Sequence, residues 1–130
     1  MKLIVCGSVA YGGIRRIKKL QDFLKQNMFE VIDQFQLGVD YSDVEDFRDK
    51  RELAANIVKN DLYKIENCDV VIAICDQPSF GTAIELYYAK KLGKKVVVFS
   101  EKPVPSPWPV AFSDRNVTVS YTHLTLPTKA

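Results

Sequence analysis

Apolar residues along the chain form short, nearly unbroken runs separated by segments with a helical period. The runs are typical of buried strands, and we assign them to Lys2–Cys6, Phe29–Phe35, Val70–Cys75 and Val96–Phe99. Asn116–Val119 is a candidate for the start of a fifth strand. Because helical segments alternate with these strands, we predict an α/β fold. It is a single-domain parallel sheet of four to five strands with helices on both faces, flavodoxin-like in outline.

Three helices are predicted between the strands. Ile14–Gln26 and a longer segment from about Val44 to Glu66 each repeat apolar residues along one stripe. The third helix opens at Gly81 and ends at Gly93. Lys102–Pro109 contains four prolines, so we predict an extended loop there instead of a helix.

Composition narrows the classes of function. A chain of 130 residues fits one domain, and a net charge of +2 does not indicate nucleic acid or an anionic membrane as the main partner. No apolar run approaches the ~18 residues of a membrane span, and no signal-peptide pattern is present. Cys6, Cys68 and Cys75 follow no zinc spacing. They predict free thiols in a reducing cytoplasm.

The last residues do not read as a packed element. VSYTHLTLPTKA, from about Val119, has neither a strand nor a helix period and is similar to the translation of a sequencing-adapter read-through. We therefore expect a domain over residues 1–119, incomplete at its C-terminus, and a non-native tail over 120–130. The only histidine, His123, lies in this tail. Chemistry that needs histidine as base or metal ligand is accordingly not expected.

The segment Asp69–Phe99 is the most informative about function. A buried strand ends in the loop Asp76–Ser79, and the next helix carries Glu85. In open α/β sheets such a loop and helix N-terminus lie at the carboxyl edge of the strands, where ligands bind. The helix dipole favours the Glu85 anion, and a carboxylate can attack a sugar carbon with oxocarbenium character. An isolated glutamate at this position could equally have no chemical role and only stabilise the helix through its interaction with the helix dipole.

The motif in this segment carries a family resemblance. Gln-Pro-Ser-x-Gly-x-x-x-Glu-Leu at Gln77–Leu86, with Cys6-Gly7-Ser8 and a Gly-Gly pair in the first loop, resembles the nucleoside 2-deoxyribosyltransferase superfamily. The likeness is greatest to the branch that hydrolyses 2'-deoxynucleoside 5'-monophosphates at the N-glycosidic bond, and it covers about Met1–Phe99. It implies that Glu85 is the covalent nucleophile. It also implies a homodimer with sites near the interface, and neither a metal nor an organic cofactor.

Asp61 is the second candidate catalytic carboxylate. It lies between Ile57 and Ile65 at four-residue steps and so borders the apolar face of its helix, where an unpaired carboxylate is unfavourable. On spacing alone, a partly exposed aspartate at a helix edge is an equally good interpretation. The interval from Asp61 to Asp69 resembles the one between the family's base-orienting aspartate and the aspartate that opens its third strand.

The loop after the first strand can bring backbone N–H groups to an anion. The candidate substrate-binding residues at this edge are Gly7, Ser8, Gly12, Ser79, Gly81 and Asp76. Ser8, Ser79 and Gly81 are expected at a phosphate, although an ordinary βα turn explains the first loop as well. Asp76 could bind a sugar hydroxyl or repel a phosphate. Arg15 and Arg16 are assigned to the solvated face of their helix.

One position departs from the family pattern. The family places a tyrosine in the first strand beside the nucleophile, and this chain has Ile4 there. Tyr11 is our candidate catalytic replacement, and Tyr88, one helical turn from Glu85, is a second. Altered or lost activity is the third interpretation.

The sequence therefore predicts hydrolysis of 2'-deoxynucleoside 5'-monophosphates to free base and deoxyribose 5-phosphate through a glycosyl-enzyme on Glu85. The expected partner is a small-molecule nucleotide, with no nucleic acid or membrane, and the protein is expected to be a cytoplasmic homodimer. Two alternatives stay open. One is base exchange by a nucleoside 2-deoxyribosyltransferase, and the other is a nucleotide-binding or sensing module without turnover.

Overall fold

The strands of the protein form one parallel sheet. The structure, a computed structural model, describes residues 1–9, 13–33, 41 and 43–119. The strands are β1 Lys2–Gly7, β2 Glu30–Ile32, β3 Val70–Ile74, β4 Lys95–Ser100 and β5 Arg115–Thr118. They pair in parallel in the order β2-β1-β3-β4-β5. The strand order changes direction between β1 and β3, so a ligand crevice is expected at their carboxyl ends.

Helices pack on both faces of the sheet, as predicted. They are α1 Gly13–Gln26, α2 Arg51–Glu66, α3 Phe80–Lys91 and α4 Pro107–Phe112. The apolar stripe of α1 packs on one face, whose core includes Leu3, Val5, Ile17, Leu20 and Leu24. The other face is covered by α2 and α3, and its core includes Ile4, Cys6, Ile65, Leu86 and Ala89. The strand–helix–strand unit around α3 is confirmed, because β3 and β4 pair in parallel.

The predicted extended loop over Lys102–Pro109 is wrong in its last part, where α4 begins at Pro107. The Ser106 side chain caps this helix by accepting the backbone N–H of Trp108 at 3.4 Å. Pro107 and Pro109 both lie in the first turn. N–H groups there have no partner within the helix, so proline removes nothing that the turn needs.

The second predicted helix also begins later than expected, at Arg51 instead of Val44. In the preceding segment the Asp46 carboxylate accepts the backbone N–H of Arg48 at 2.9 Å and also binds its guanidinium. Such local side-chain bonds compete with helical ones. The second strand is shorter than its predicted range Phe29–Phe35, since β2 covers Glu30–Ile32 and residues 34–40 lie outside the described part.

The remaining observations concern the cysteines, the possibility of membrane or metal binding, and the C-terminal tail. The cysteines are free, with Cys6 and Cys68 buried and Cys75 half-buried. Among the described helices, none combines the length and the apolar character required to cross a bilayer. Over the same residues no group of histidine, cysteine and carboxylate side chains is placed to hold a metal ion. The predicted tail over 120–130 lies outside the described residues, so the domain limits stay a prediction.

Candidate active site

Glu85 is held between α3 and β1 at the point where the strand order changes direction. The Ser79 side chain caps α3, because its Oγ accepts the backbone N–H of Thr82 at 3.2 Å and the Thr82 hydroxyl at 3.0 Å. Glu85 is half-buried on this helix. Its Oε2 accepts a hydrogen bond from the Cys6 thiol, with 3.5 Å between sulfur and oxygen. The carboxylate is therefore tied to the carboxyl end of the strand beside β3.

Glu85 and Asp61 form an electrostatically coupled pair. Burial raises the pKa of Glu85 from 4.5 to about 8, and the negative charge of Asp61 acts in the same direction. The Cys6 hydrogen bond and the positive charge of Lys64 oppose this rise in the Glu85 pKa. The pKa of Asp61 is also raised, by its own burial, against the opposing charge of Lys64. Two carboxyl groups with raised pKa values can divide acid and nucleophile roles between them.

Tyr41 also lies close enough to interact with this pair. Burial raises the pKa of Tyr41 to about 12, and the charges of Asp61, Glu85 and Cys6 act in the same direction. Its ring packs edge-on against Phe47 with 6.3 Å between centroids. The phenol therefore keeps its proton near the carboxylates. The sequence pattern indicates no role for Tyr41, because nothing local in the sequence shows that this residue lies near the carboxylates.

The tyrosines proposed to replace the family's first-strand residue have other positions. The Tyr88 hydroxyl donates a hydrogen bond to Glu66 of α2, so it is engaged away from Glu85. Tyr11 and Gly12 lie outside the described residues, and the role of Tyr11 stays a prediction. Ile4 is buried in the core beside Cys6. At this point of β1 the chain thus presents a hydrocarbon side chain.

Residues at the carboxyl ends of β1 and β3 and at the start of α1 line a small cavity at the same edge of the sheet. Its volume is about 10 Å³, room for a single water molecule. The residues that line it include Gly7, Ser8, Arg16, Asp76 and Gln77. The structure thus brings three of the predicted substrate-binding residues together. Arg15 is exposed as expected, but Arg16 is half-buried at the cavity. The helical period of α1 did not indicate that Arg16 would line a cavity with Ser8 and Asp76.

Asp76 uses its two oxygens differently. Its Oδ1 accepts the backbone N–H groups of Glu101 at 2.8 Å and Lys102 at 2.9 Å, which anchors the segment after β4. Its Oδ2 and the Oε1 of Gln77 are buried, and neither has a hydrogen-bond partner among the described residues. Buried acceptors of this kind ordinarily find a donor, such as a water molecule or a hydroxyl group.

Gly81 leaves one side of the Glu85 carboxylate open. A β-carbon placed at Gly81 would meet Oε1 of Glu85 at 4.0 Å, as its nearest neighbour. Of the other predicted residues, Asp61 acts on the Glu85 carboxylate through its negative charge. The Ser79 side-chain oxygen already accepts the hydrogen bond that caps α3. Cys6 and Lys64 were not predicted to take part. The sequence pattern indicated only that Cys6 is a core residue and that Lys64 lies in a helix.

A parallel sheet of this order defines an open α/β protein, and the carboxylate pair lies at the switch point where proteins of this class commonly bind small ligands. The family model for nucleoside 2-deoxyribosyltransferase matches residues 12–120. The chain belongs to that family, as its first-loop and Gln77–Leu86 motifs predicted. Proteins of this family act on N-glycosyl bonds.

Solved structures share the fold at low sequence identity. The 2-deoxyribosyltransferase of the psychrotolerant bacterium Bacillus psychrosaccharolyticus aligns with a TM-score of 0.72 and 19% identity, over 95% of this chain and 89% of its own. A conserved protein from Enterococcus faecalis V583 gives 0.66 and 16%, over 95% and 94%. The CMP N-glycosidase BcmB of Clostridium botulinum gives 0.57 and 23%, over 94% and 93%. A search of curated protein sequences found no match.

Proposed function

We propose that the protein hydrolyses the N-glycosidic bond of 2'-deoxynucleoside 5'-monophosphates to free base and deoxyribose 5-phosphate. The observation that carries the proposal is the coupled pair of Glu85 and Asp61 at the switch point of a sheet of this family. The pair offers one carboxylate for attack and one carboxylic acid for the leaving group. The N-glycosidase among the structural neighbours is consistent with hydrolysis but supports only the shared fold.

The reaction uses the two carboxyl groups in sequence. In the free protein the proton of the pair rests on Glu85, because the charge of ionised Asp61 raises the Glu85 pKa. During the reaction this proton passes to Asp61, ionised Glu85 attacks C1' and forms an ester, and the C1'–N bond breaks with its electron pair leaving on the base. The carboxylic acid of Asp61 gives its proton to the departing base. Water then attacks C1' of the ester and transfers a proton back to Asp61, which releases the sugar and restores ionised Glu85. One water molecule is consumed in each cycle.

The 5'-phosphate is the group that distinguishes this substrate from a nucleoside. Arg16 and Ser8 line the cavity at the carboxyl ends of β1 and β3, so a guanidinium and a hydroxyl are available at this edge of the sheet. One observation favours the second candidate, transfer of deoxyribose between bases. The unpartnered Oδ2 of Asp76 in that cavity would accept a hydroxyl more readily than a phosphate.

The first test compares substrates. We expect each deoxynucleoside monophosphate that reacts to be processed roughly 10- to 150-fold faster than its nucleoside, because losing a charge-assisted contact costs about 1.5–3 kcal/mol. The measurement follows free base by chromatography with all four monophosphates and their nucleosides. A parallel set contains a second free base, so that transfer is seen as a new nucleoside or nucleotide.

The outcomes separate the candidates. Equal rates on the two substrate series, or a preference for nucleosides with base exchange, would replace hydrolysis by transfer. Nucleotide binding without any base release would contradict both and indicate the non-catalytic module. The Glu85→Gln protein supplies the background rate, because an amide is a poor nucleophile.

We also propose that the protein is a homodimer that associates through α3 and α4. Beside its buried face, α3 has a second apolar stripe, with Phe80 94%, Ile84 58% and Tyr87 51% exposed. The stripe continues through the ring contact of Tyr87 with Phe112 to Trp108, which is 64% exposed. A helix that is apolar on both sides is normally covered on both.

Replacing Ile84 by Lys is expected to convert the dimer to a monomer, because a charge would enter the centre of the apolar contact. Molar mass from light scattering after gel filtration checks this. Met28→Lys is the matched control, since Met28 is 92% exposed at the end of α1, on the other face of the sheet. A native chain that runs as a monomer at micromolar concentration would contradict the proposal.

A further inference from the structure

Cys6 is a buried thiol whose environment keeps its proton in place. It is 2% exposed and lies at the carboxyl end of β1, on the face covered by α2 and α3. Burial and the negative charge of Glu85 raise the pKa of Cys6 well above its ordinary range. A thiol in this state is an inert nucleophile, but it is a permanent hydrogen-bond donor.

The Cys6 thiol contacts only one oxygen of Glu85. It donates to Oε2 at 3.5 Å, whereas Oε1 is the oxygen that lies toward Gly81. The absence of a side chain at Gly81 keeps that approach open. One oxygen of the carboxylate is thus hydrogen-bonded to β1, and the other lies on the side of Gly81.

We infer that Cys6 is a positioning residue that holds Oε2 of Glu85, so that Oε1 is the oxygen that attacks the sugar. This rests on the proposed function, and it assigns distinct roles to the two oxygens of the nucleophile. Ile4, two residues earlier on the same side of β1, has no donor, so the thiol is the group by which this strand contacts Glu85. A thiol also binds a carboxylate more weakly than a hydroxyl does, which leaves the carboxylate more nucleophilic.

The test measures the pH dependence of base release. The charged and titratable groups that act on Glu85 are Cys6 from β1, Asp61 and Lys64 from α2, and Tyr41 from the segment before α2. The thiol hydrogen bond lowers the pKa of Glu85, so Cys6→Ala should move the acid limb of kcat/KM to higher pH. It should also lower kcat roughly two- to tenfold with KM little changed, the scale of one hydrogen bond.

Two further cysteine variants separate positioning from packing. Cys6→Ser keeps a donor and should restore the limb to its native pH or below it. Cys68→Ala is the matched control, because Cys68 is buried in the same core but donates to the backbone oxygen of Ile65 at 3.2 Å. It should lower the melting temperature without moving the limb. An equal shift in Cys6→Ala and Cys68→Ala, or no shift in Cys6→Ala, would overturn the inference.

Gly81→Ala tests which oxygen attacks. The added methyl would lie 4.0 Å from Oε1, so the fold accommodates it, and alanine favours the helix more than glycine does. We expect a free energy of unfolding at or above the native value. We also expect more than a tenfold loss of kcat/KM, because the added methyl group narrows the approach to Oε1. Native kcat/KM in this variant would contradict the assignment of Oε1.

A readout without substrate keeps this inference distinct from the proposed function. Carbon-13 NMR of labelled glutamate, with the Glu85 signal identified by its loss in Glu85→Gln, follows ionisation of the carboxyl directly. A higher Glu85 pKa in Cys6→Ala than in the native chain supports the tether even if no substrate is hydrolysed. An unchanged pKa overturns it even if hydrolysis is found.

Discussion

Glu85→Gln is expected to abolish base release and, at alkaline pH, to make the protein harder to unfold. The amide keeps the shape of the side chain but cannot form the ester, and no other described carboxylate is tied into this position. The native Glu85 carboxyl lowers the free energy of unfolding above pH 4.5, because its pKa rises from 4.5 to about 8 on folding. At about 1.4 kcal/mol per pKa unit, the gain in unfolding free energy is roughly 3–5 kcal/mol above pH 8.

The sign of this effect follows from which state ionises first. Below pH 4.5 the carboxyl is neutral in both states and the two proteins should be equally stable. Between pH 4.5 and about 8 the unfolded native chain ionises while the folded one holds its proton, so native stability falls as pH rises. Urea unfolding at pH 5, 7 and 9 measures the growing difference. A constant difference across this range, or full turnover by the variant, would contradict the assigned role.

Asp61→Ala serves as the comparison within the same site. It removes the acid that protonates the base, which should lower kcat about 10²- to 10⁴-fold without eliminating it. It also removes a negative charge that raises the Glu85 pKa, so the residual activity should reach its plateau at lower pH.

Gly13→Ala is expected to be severely destabilising. A β-carbon at Gly13 would overlap the backbone oxygen of Ser8, and no side-chain movement can relieve a clash with the backbone. The backbone at the two ends of the first loop must separate, which we expect to lower the unfolding free energy by about 2–4 kcal/mol. Because Ser8 lines the cavity at this edge of the sheet together with Arg16, any folded fraction should also bind nucleotide more weakly. Thermal unfolding and nucleotide titration provide the two measurements.

Gly93→Ala distinguishes a clash from ordinary glycine strain. Gly93 has a φ of +77° and nothing lies within 4 Å of a β-carbon there. Alanine at Gly93 therefore meets strain alone, about 1 kcal/mol, and should leave nucleotide binding unchanged. Equal destabilisation by the two substitutions would show that the backbone contact at Gly13 is not the controlling feature.

The fold was predictable because its strongest signals are local. Buried parallel strands are continuous apolar runs, and the residues of β3 and β4 form two such runs in the sequence. The errors arose where a side chain decides the backbone. Ser106 turns a proline-rich segment into the first turn of α4, and Asp46 delays the start of α2. Propensity and periodicity do not include such individual hydrogen bonds.

The candidate site was predictable only in part, because its parts are distant in sequence. Spacing alone predicts that Glu85 lies at the edge of its helix and that Asp61 lies beside an apolar stripe. The electrostatic coupling of the two carboxyl groups is consistent with both predictions. Cys6 was interpreted as a core residue because the sequence shows burial but not what a buried group faces. Its contact with Glu85 joins residues 79 positions apart. The interaction of Tyr41 with the pair likewise joins residues that are distant in sequence.

Asp76 anchors the segment after β4 through the backbone of that segment, so the segment can accept other side chains. Asp76 binds main-chain N–H groups, which every residue except proline supplies, so the identities of Glu101 and Lys102 are free of this constraint. A designer could exchange the side chains there while the backbone keeps its course. Natural selection could do the same, so the surface of this sheet edge can diversify without altering the scaffold that positions its carboxylates.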